Sequence, residues 1–292
     1  MALRTTDPAE TYLRTWTTGR ARWFTRPDGT RLRYVAVGEG PPLLLLHTVR
    51  TQLDYFQRVI APLAERHRVH ALDFPGMGWS DIRKGATYDH DDLQRAVVEF
   101  VRGLELTDLT LVGESIGAAI ALTASVELGQ RVVRVVASNT YDYPQGVQRA
   151  NLLAGVIVSS VRAPLVGPVF AALENRAILK GIMRGGYADP AQLPEPFLDE
   201  LVRVGSRPGY AGVARAIYRN LPTLIAARDR YASITAPVTL LYSDGDWSRE
   251  ADRANTAAAI PSASVHTVAH AGHFLAMEKP REFIGAVLNE RP

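Results

Sequence analysis

The chain has 292 residues, of which 47% are hydrophobic, and a formal net charge of +3. This length allows one large core, or a core domain with an insertion. The chain contains no cysteine, which excludes disulfides, zinc sites made of thiolates and cysteine nucleophiles.

The distribution of charge and hydropathy excludes further classes of protein. Basic residues are dispersed among acidic ones without a basic run, so we expect no nucleic-acid binding. The opening stretch MALRTTDPAETYLRTW lacks the apolar segment of a secretory signal, so we expect a cytoplasmic protein. The most apolar long stretch, residues 151–173, is interrupted by Arg162, Pro164, Gly167 and Pro168, so we expect no membrane span.

The first part of the chain predicts strands followed by a helix. Two strand-like runs, ARWFTR and LRYVAVG, flank the turn PDGT and predict a hairpin. The continuous apolar run PPLLLLHT predicts a fully buried strand. The stretch QLDYFQRVIAPLAER has the period of a helix, and we expect Thr51, with Asp54 three residues later, to be its N-cap.

The next segments continue the alternation. HRVHALDFPG predicts a strand, DHDDLQRAVVEFVRGLEL an amphipathic helix and LTLVGE another strand. IGAAIALTASVELG predicts a helix that ends at Gly129, and RVVRVVASN predicts the strand after it.

Residues 141–232 break this alternation, because they are mostly helical in pattern and are punctuated by proline and glycine. Alternation resumes with the strand APVTLLYSD, a helix near READRANTAAAI, the strand ASVHTVAH and the helix KPREFIGAVLN. We therefore predict an α/β fold with a mostly parallel sheet flanked by helices. Residues 1–140 and 233–292 would form the core domain, and residues 141–232 a helical insertion such as a lid.

A serine stands where a predicted strand runs directly into a predicted helix. The pentapeptide GESIG around Ser115 matches the pattern G-x-S-x-G in that context. A sharp turn exposes the central side chain at the carboxyl edge of the sheet, and Gly113 and Gly117 fit against neighbouring backbone. The helix N-terminus stabilises developing negative charge. We interpret Ser115 as a nucleophile, and the alternative is a plain tight turn.

A serine nucleophile needs a base, and histidines are available after the last predicted strand. The stretch HTVAHAGHFLAMEKP contains His266, His270 and His273. His273 lies just beyond the strand, and we expect it to be the base. His270 is the alternative, whereas His266 lies within the strand and is expected to be structural.

A carboxylate between the serine and the histidine would complete the order Ser…Asp…His. The stretch LLYSDGDWSRE supplies Asp244 and Asp246 directly after a predicted strand. A buried carboxylate there would orient the imidazole and stabilise its cation. Asp142, which follows the strand RVVRVVASN, is a third candidate.

Together these stretches resemble the α/β-hydrolase family, over about residues 21–292. The resemblance is carried by LLLLHT, ALDFPGMGWSD, LVGESIG, LLYSDGDWS and HAGHFLAMEKP. In the family the acid usually ends a turn of glycine or serine, two residues and aspartate, which implies Asp246. The family histidine follows a small residue and precedes a bulky apolar one, which implies His273. Residues 141–232 then resemble the family's cap.

The resemblance also implies an oxyanion hole made of two backbone N–H groups. One belongs to Ile116, the residue after the nucleophile. The other comes from the loop after the third strand, usually His-Gly-x, and this implies Val49. Thr48 replaces the glycine here, and a β-branched residue is strained if that position has positive φ.

Arg50 is unusual for this loop. It could clamp a substrate carboxylate, or it could form an i,i+4 pair with Asp54 at a helix start. We expect the pair, because dispersed arginines are common in this chain. The candidate substrate contacts are His47, Thr48, Arg50, Glu114 and Trp247.

The resemblance implies a serine hydrolase that needs neither a metal nor an organic cofactor. The family's epoxide hydrolases and dehalogenases use aspartate as nucleophile, so Ser115 argues against both activities. We expect hydrolysis of an ester-type bond in a small substrate, which the apolar stretch 151–173 suggests is hydrophobic. The alternatives are lactone, thioester, peptide or carbon–carbon hydrolysis, and a non-catalytic ligand-binding protein on the same fold. The sequence does not predict an oligomeric state.

Overall fold

The computed structural model describes residues 7–260 and 262–289, which contain an eight-stranded sheet and surrounding helices. The strands are β1 (Arg22–Thr25), β2 (Arg31–Val37), β3 (Pro42–Leu46), β4 (Arg68–Leu72), β5 (Leu109–Glu114), β6 (Val132–Ser138), β7 (Val238–Ser243) and β8 (Ala263–Val268). The α-helices are α1 (Pro8–Thr11), α2 (Ile60–Leu63), α3 (His90–Gly103), α4 (Ile116–Leu128), α5 (Gly146–Arg149), α6 (Leu152–Arg162), α7 (Gly167–Ala172), α8 (Arg176–Arg184), α9 (Glu195–Gly205), α10 (Tyr210–Ala226), α11 (Glu250–Ala259), α12 (Leu275–Glu278) and α13 (Pro280–Leu288). Short 3₁₀ helices cover Leu13–Thr15, Leu53–Phe56, Gly129–Arg131, Pro190–Gln192 and Ala227–Ser233.

The strand order is β1-β2-β4-β3-β5-β6-β7-β8. β2 is antiparallel to both β1 and β4, and every other neighbouring pair is parallel. The predicted hairpin is therefore β1–β2, and the predicted α/β fold with a mostly parallel sheet is confirmed. In such a sheet the carboxyl ends of neighbouring parallel strands meet at one edge, where ligands bind.

The centre of the sheet holds the strand that leads to Ser115. The leucines of β3 are fully buried because β4 and β5 lie on either side and helices cover the sheet. Helix α4 packs on β5 and β6 and is buried along nearly its whole length, as expected for a helix that is apolar all round. This rigid centre fixes the end of β5 in space.

Residues 141–232 lie between β6 and β7 in the chain and contain α5 to α10. We call them the helical segment. Their predicted helical character is therefore observed, with prolines at or near several helix starts and one, Pro222, inside α10. Within the described residues, no helix combines the length and apolar character that crossing a bilayer demands.

The predicted helix over QLDYFQRVIAPLAER is wrong. The segment contains only the 3₁₀ helix Leu53–Phe56 and the single turn α2. Thr51 is not an N-cap, because its hydroxyl donates a 2.9 Å hydrogen bond back to the carbonyl of Thr48. A backbone N–H group at the expected helix start is instead hydrogen-bonded to a residue distant in the chain. The N–H of Leu53 donates to Asp73 at 2.7 Å.

Candidate active site

Ser115 occupies the turn between β5 and α4, with φ 60° and ψ −119°. This is a left-handed backbone that side chains rarely adopt. A Cβ on Gly113 would lie 2.2 Å from the carbonyl oxygen of Gly117, and one on Gly117 would lie 2.1 Å from that of Leu46. The spacing of the two glycines is therefore required by close backbone contacts on both sides of the serine.

The hydroxyl of Ser115 and Nε2 of His273 are both fully buried, and neither has a hydrogen-bond partner in the described part of the chain. Buried polar atoms are normally paired, so both of these atoms are available to hydrogen-bond a bound molecule. A serine hydroxyl and an imidazole nitrogen are the groups that nucleophilic catalysis requires.

Nδ1 of His273 lies 2.5 Å from a carboxylate oxygen of Asp246, and both side chains are fully buried. Asp246 also accepts hydrogen bonds from the N–H of Ser248, at 2.9 Å, and from its hydroxyl. Burial by itself raises the pKa of Asp246, but His273 and the Ser248 hydrogen bonds outweigh burial and bring this pKa below its ordinary value. Asp246 is therefore ionised. Its carboxylate can accept a hydrogen bond from Nδ1 and so stabilise the imidazole tautomer that carries its hydrogen on Nδ1.

Asp244, the neighbouring candidate, has a different environment. It is exposed, and its carboxylate accepts the backbone N–H groups of His270 at 2.9 Å and Ala271 at 3.2 Å. These hydrogen bonds lower the pKa of Asp244. Asp244 therefore shapes the loop before His273, while His266 and His270 are both exposed.

Asp142, the third candidate acid, is fully buried and accepts a hydrogen bond from the hydroxyl of Thr256 at 2.9 Å. Burial raises the pKa of Asp142 to about 6. The structure thus pairs Asp142 with α11 and pairs Asp246 with His273.

His47, a candidate substrate contact, uses both ring nitrogens inside the protein. Its Nε2 accepts the N–H of Phe74 at 3.1 Å, so the hydrogen is on Nδ1, which donates to the carbonyl of Thr48 at 2.8 Å. Burial lowers the pKa of His47 and keeps it neutral. The expectation that His47 contacts substrate is therefore not supported, because the ring fastens its own loop to the end of β4.

The N–H groups of Val49 and Ile116 donate to no acceptor across residues 7–260 and 262–289. Both are thus free to bind an oxyanion. Thr48 is fully buried and its φ is not positive, so the strain considered for the glycine position does not occur there. The left-handed residue of this loop is Arg50, with φ 60°.

The expected pair between Arg50 and Asp54 is wrong. Arg50 donates to Glu174, between α7 and α8 in the helical segment. Asp54 is fully buried and binds Arg33 at 2.6 Å. The i,i+4 spacing does not bring Arg50 and Asp54 together, because residues 50–54 do not form an α-helix.

Glu114, another candidate substrate contact, is likewise hydrogen-bonded within the protein. Its buried carboxyl group accepts the hydroxyl of Tyr55 and the N–H groups of Leu275, at 2.8 Å, and Ala276, at 3.2 Å. Burial raises the pKa of Glu114 to about 8, against the lowering effect of these three hydrogen bonds. The residue before Ser115 therefore anchors the start of α12, directly after His273.

Trp247 lies against the candidate base. Its indole stacks on the imidazole of His273, and its Nε1 donates to the carbonyl of Gly185 at 2.9 Å. Trp247 therefore links the helical segment to His273.

The sequence analysis missed two residues that hold the loop of His273. Asn139 donates to the carbonyl of His273 at 3.0 Å. Glu278 accepts the N–H groups of Gly272, at 2.6 Å, and Asp189, at 2.8 Å. The position of Asn139 directly after β6, at the same edge of the sheet, is a signal that could have indicated it. The sequence contained no such signal for Glu278, because its partner Asp189 is distant in the chain.

Residues 43–286 match the alpha/beta hydrolase family. The protein belongs to this family. Haloalkane dehalogenase 2 of Mycobacterium tuberculosis is 36% identical over 124 residues, which are 42% of this chain and 43% of that protein. The matched part thus spans less than half of that relative.

Solved structures of other proteins share the fold of this family member. Cfl2 of Burkholderia cenocepacia superposes with a TM-score of 0.82 at 21% identity, covering 94% of this chain and 96% of Cfl2. The epoxide hydrolase CorEH superposes with a TM-score of 0.79 at 22% identity, covering 93% and 98%. At these identities the likeness shows the fold alone.

Proposed function

We propose that this protein is a serine hydrolase that cleaves an ester-type acyl bond through an acyl-enzyme on Ser115. The observation that carries the proposal is one arrangement of atoms. The free hydroxyl of Ser115 stands at a strained turn, His273 has a free Nε2, and Nδ1 of the same ring is bonded to Asp246. This is the set of roles that a serine, a base and an orienting acid fill in acyl transfer.

In the proposed reaction, Nε2 of His273 takes the proton of Ser115 as its oxygen attacks the acyl carbon. The N–H groups of Ile116 and Val49 bind the oxygen of the tetrahedral intermediate, at the N-terminus of α4. His273 then gives the proton to the leaving alcohol. Water hydrolyses the acyl-enzyme by the same steps, and Asp246 stabilises the imidazolium each time.

The family match and the likeness to a haloalkane dehalogenase support hydrolysis as the class of reaction, whereas the epoxide hydrolase shares only the fold. Ser115 distinguishes this chain from the aspartate nucleophiles of those activities. A serine hydroxyl must lose a proton to attack, which is why a base next to it is part of the proposal.

We also propose that the helical segment is a cap over the site, on a core domain formed by residues 1–140 and 233–292. Three contacts support this: Arg50 with Glu174, Trp247 with Gly185, and Glu278 with Asp189. Ser115 and His273 are fully buried beneath it, so entry of a small substrate requires the cap to shift.

Fluorophosphonate labelling and a substrate panel test this function. We expect the wild type to react with the probe and to hydrolyse short acyl esters, with Ser115→Ala losing both. A panel of lactones, thioesters and esters, compared by kcat/KM, identifies the bond. An absence of both labelling and turnover on any substrate would favour a ligand-binding protein, and full turnover in Ser115→Ala would refute the mechanism.

A further inference from the structure

Arg50 is a buried arginine that the proposed acyl transfer does not use. Its side chain is 5% exposed, and the guanidinium lies 5.0 Å over the ring of Tyr210. One nitrogen, Nη2, donates to Glu174. The other two, Nε and Nη1, form no hydrogen bond of good geometry among the residues that the structure describes, although the hydroxyl of the buried Tyr218 lies close to the guanidinium.

This arrangement is costly for the fold. A buried donor without an acceptor costs about 1–3 kcal/mol, and more on a charged group. Arg50 also has φ 60°, a left-handed backbone that costs a side-chain-bearing residue about 1–2 kcal/mol. Both costs fall on one residue. The side chain thus keeps donors that are available to an acceptor on a bound molecule.

Arg50 lines a cavity of about 400 Å³ beside the helical segment. Its polar lining is Arg50, Glu174, Asn175, Ser206, Arg207 and Tyr210. Arg207 donates to the backbone carbonyls of Gly78 and Ser80, so no hydrogen-bonded carboxylate neutralises its charge. Two arginines and one glutamate leave the lining with an excess of positive charge, which favours an anion.

The loop that carries Arg50 is in direct contact with the turn of Ser115. Arg50 follows Val49, whose N–H is free for the oxyanion. A Cβ on Gly117, two residues after the serine, would lie 2.7 Å from the carbonyl oxygen of His47. The loop backbone therefore touches the start of α4, and the same loop carries both Arg50 and the N–H that we propose as an oxyanion donor.

We infer that Arg50 binds a carboxylate of the substrate, so the substrate class is an ester that also carries a free carboxylate. This inference rests on the proposed serine-hydrolase function. A guanidinium suits this role because its planar donors match the two oxygens of a carboxylate. Glu174 occupies one nitrogen and competes with the substrate for it, while Nε and Nη1 are available for the incoming group.

Matched ester pairs test the inference. Monoethyl glutarate and ethyl pentanoate differ by a carboxylate in place of a methyl group, as do monoethyl adipate and ethyl hexanoate. We expect the ratio of kcat/KM, acidic over neutral, to fall about 10- to 100-fold in Arg50→Gln. The ratio in Arg50→Lys should lie between the ratios of the wild type and Arg50→Gln. Glu174→Gln should raise the ratio because the competing carboxylate is gone. Arg102→Gln, an exposed arginine on α3, is the matched control and should leave the ratio unchanged.

An unchanged ratio in Arg50→Gln, with esters still hydrolysed, would overturn the inference and leave the proposed function intact. If no ester is hydrolysed at all, the proposed function fails, and calorimetric binding of glutarate to the wild type and Arg50→Gln decides the anion site separately. Equal binding to both proteins, or none to either, would refute it. Thermal melting monitors folding, and Arg50→Lys replaces Arg50→Gln should the latter not fold.

Discussion

The indole of Trp247 lies face to face with the imidazole of His273, with ring centroids 3.6 Å apart and planes inclined by 11°. Nδ1 of the same imidazole is bonded to Asp246. The ring is therefore held by a hydrogen bond at one edge and by an aromatic surface on one face. Since Trp247 is also bonded to Gly185 of the helical segment, the orientation of His273 is coupled to that segment.

We expect Trp247→Ala to lower kcat about 10- to 100-fold, because small misplacements of a catalytic group are costly. Trp247→Phe keeps an aromatic face and should retain most of kcat, although it loses the bond to Gly185. Steady-state kinetics of both variants, with melting curves to account for lost packing, check this. Equal kcat in the two variants would mean that the stacking does not position His273.

Asp246→Asn should lower kcat by about 10⁴-fold, by analogy with serine proteases, because the amide leaves the imidazole in the wrong tautomer. Asp244→Asn is the matched control, two residues away on the same turn. It should cost much less, since the carboxylate of Asp244 accepts backbone N–H groups of the loop before His273 and does not bind the imidazole. Were Asp244→Asn the worse of the two, the assignment of the acid would be wrong.

Glu114→Gln should reduce both kcat and the free energy of unfolding. The amide cannot accept all the donors that Glu114 binds, and its own NH₂ would face the N–H of Ala276 at the start of α12. Tyr55→Phe removes one of these three hydrogen bonds and is the milder control, with a cost of about 1–2 kcal/mol. Urea unfolding and kcat of both variants test the anchor, and a fully active Glu114→Gln would argue against it.

Gly117→Ala should destabilise the protein by more than about 3 kcal/mol or prevent folding, because its Cβ would lie 2.1 Å from the carbonyl oxygen of Leu46. Gly285→Ala is the control. Gly285 lies within α13 and has no atom within 4 Å of its added Cβ among the described residues, so alanine should stabilise by about 1 kcal/mol. Free energies of unfolding for the two variants must then change in opposite directions.

Asp142 should make stability depend on pH in the acidic range. Its pKa is about 6 in the folded protein against an ordinary 3.8, so the folded state keeps a proton that the unfolded chain releases. Stability from this group is therefore full below pH 3.8 and falls by up to about 3 kcal/mol as the pH rises through 6. Asp142→Asn lacks this loss. From pH 4 to pH 7, the unfolding free energy of the wild type should therefore fall relative to that of the variant.

The sequence determined the order and type of most elements because those signals are local. The leucine run of β3 indicated burial on both faces, and the alternation of strands and helices indicated a parallel sheet. The turn GESIG located Ser115, since close backbone contacts leave room only for glycine at both flanking positions. The roles assigned to Ser115, Asp246 and His273 stay predictions, and the structure supplies the geometry on which they rest.

Only the tertiary structure decided the partners of the polar groups. Arg50 binds Glu174, 124 residues away, rather than Asp54, and Glu114 binds the N–H of Leu275, 161 residues away. A hydrogen bond needs its two atoms within about 3 Å, and the packing of distant segments sets that distance. For the same reason the helix predicted after Thr51 gave way to tertiary hydrogen bonds. Local pattern places a side chain on an element, whereas its chemical surroundings are fixed by whichever distant residues the fold brings beside it.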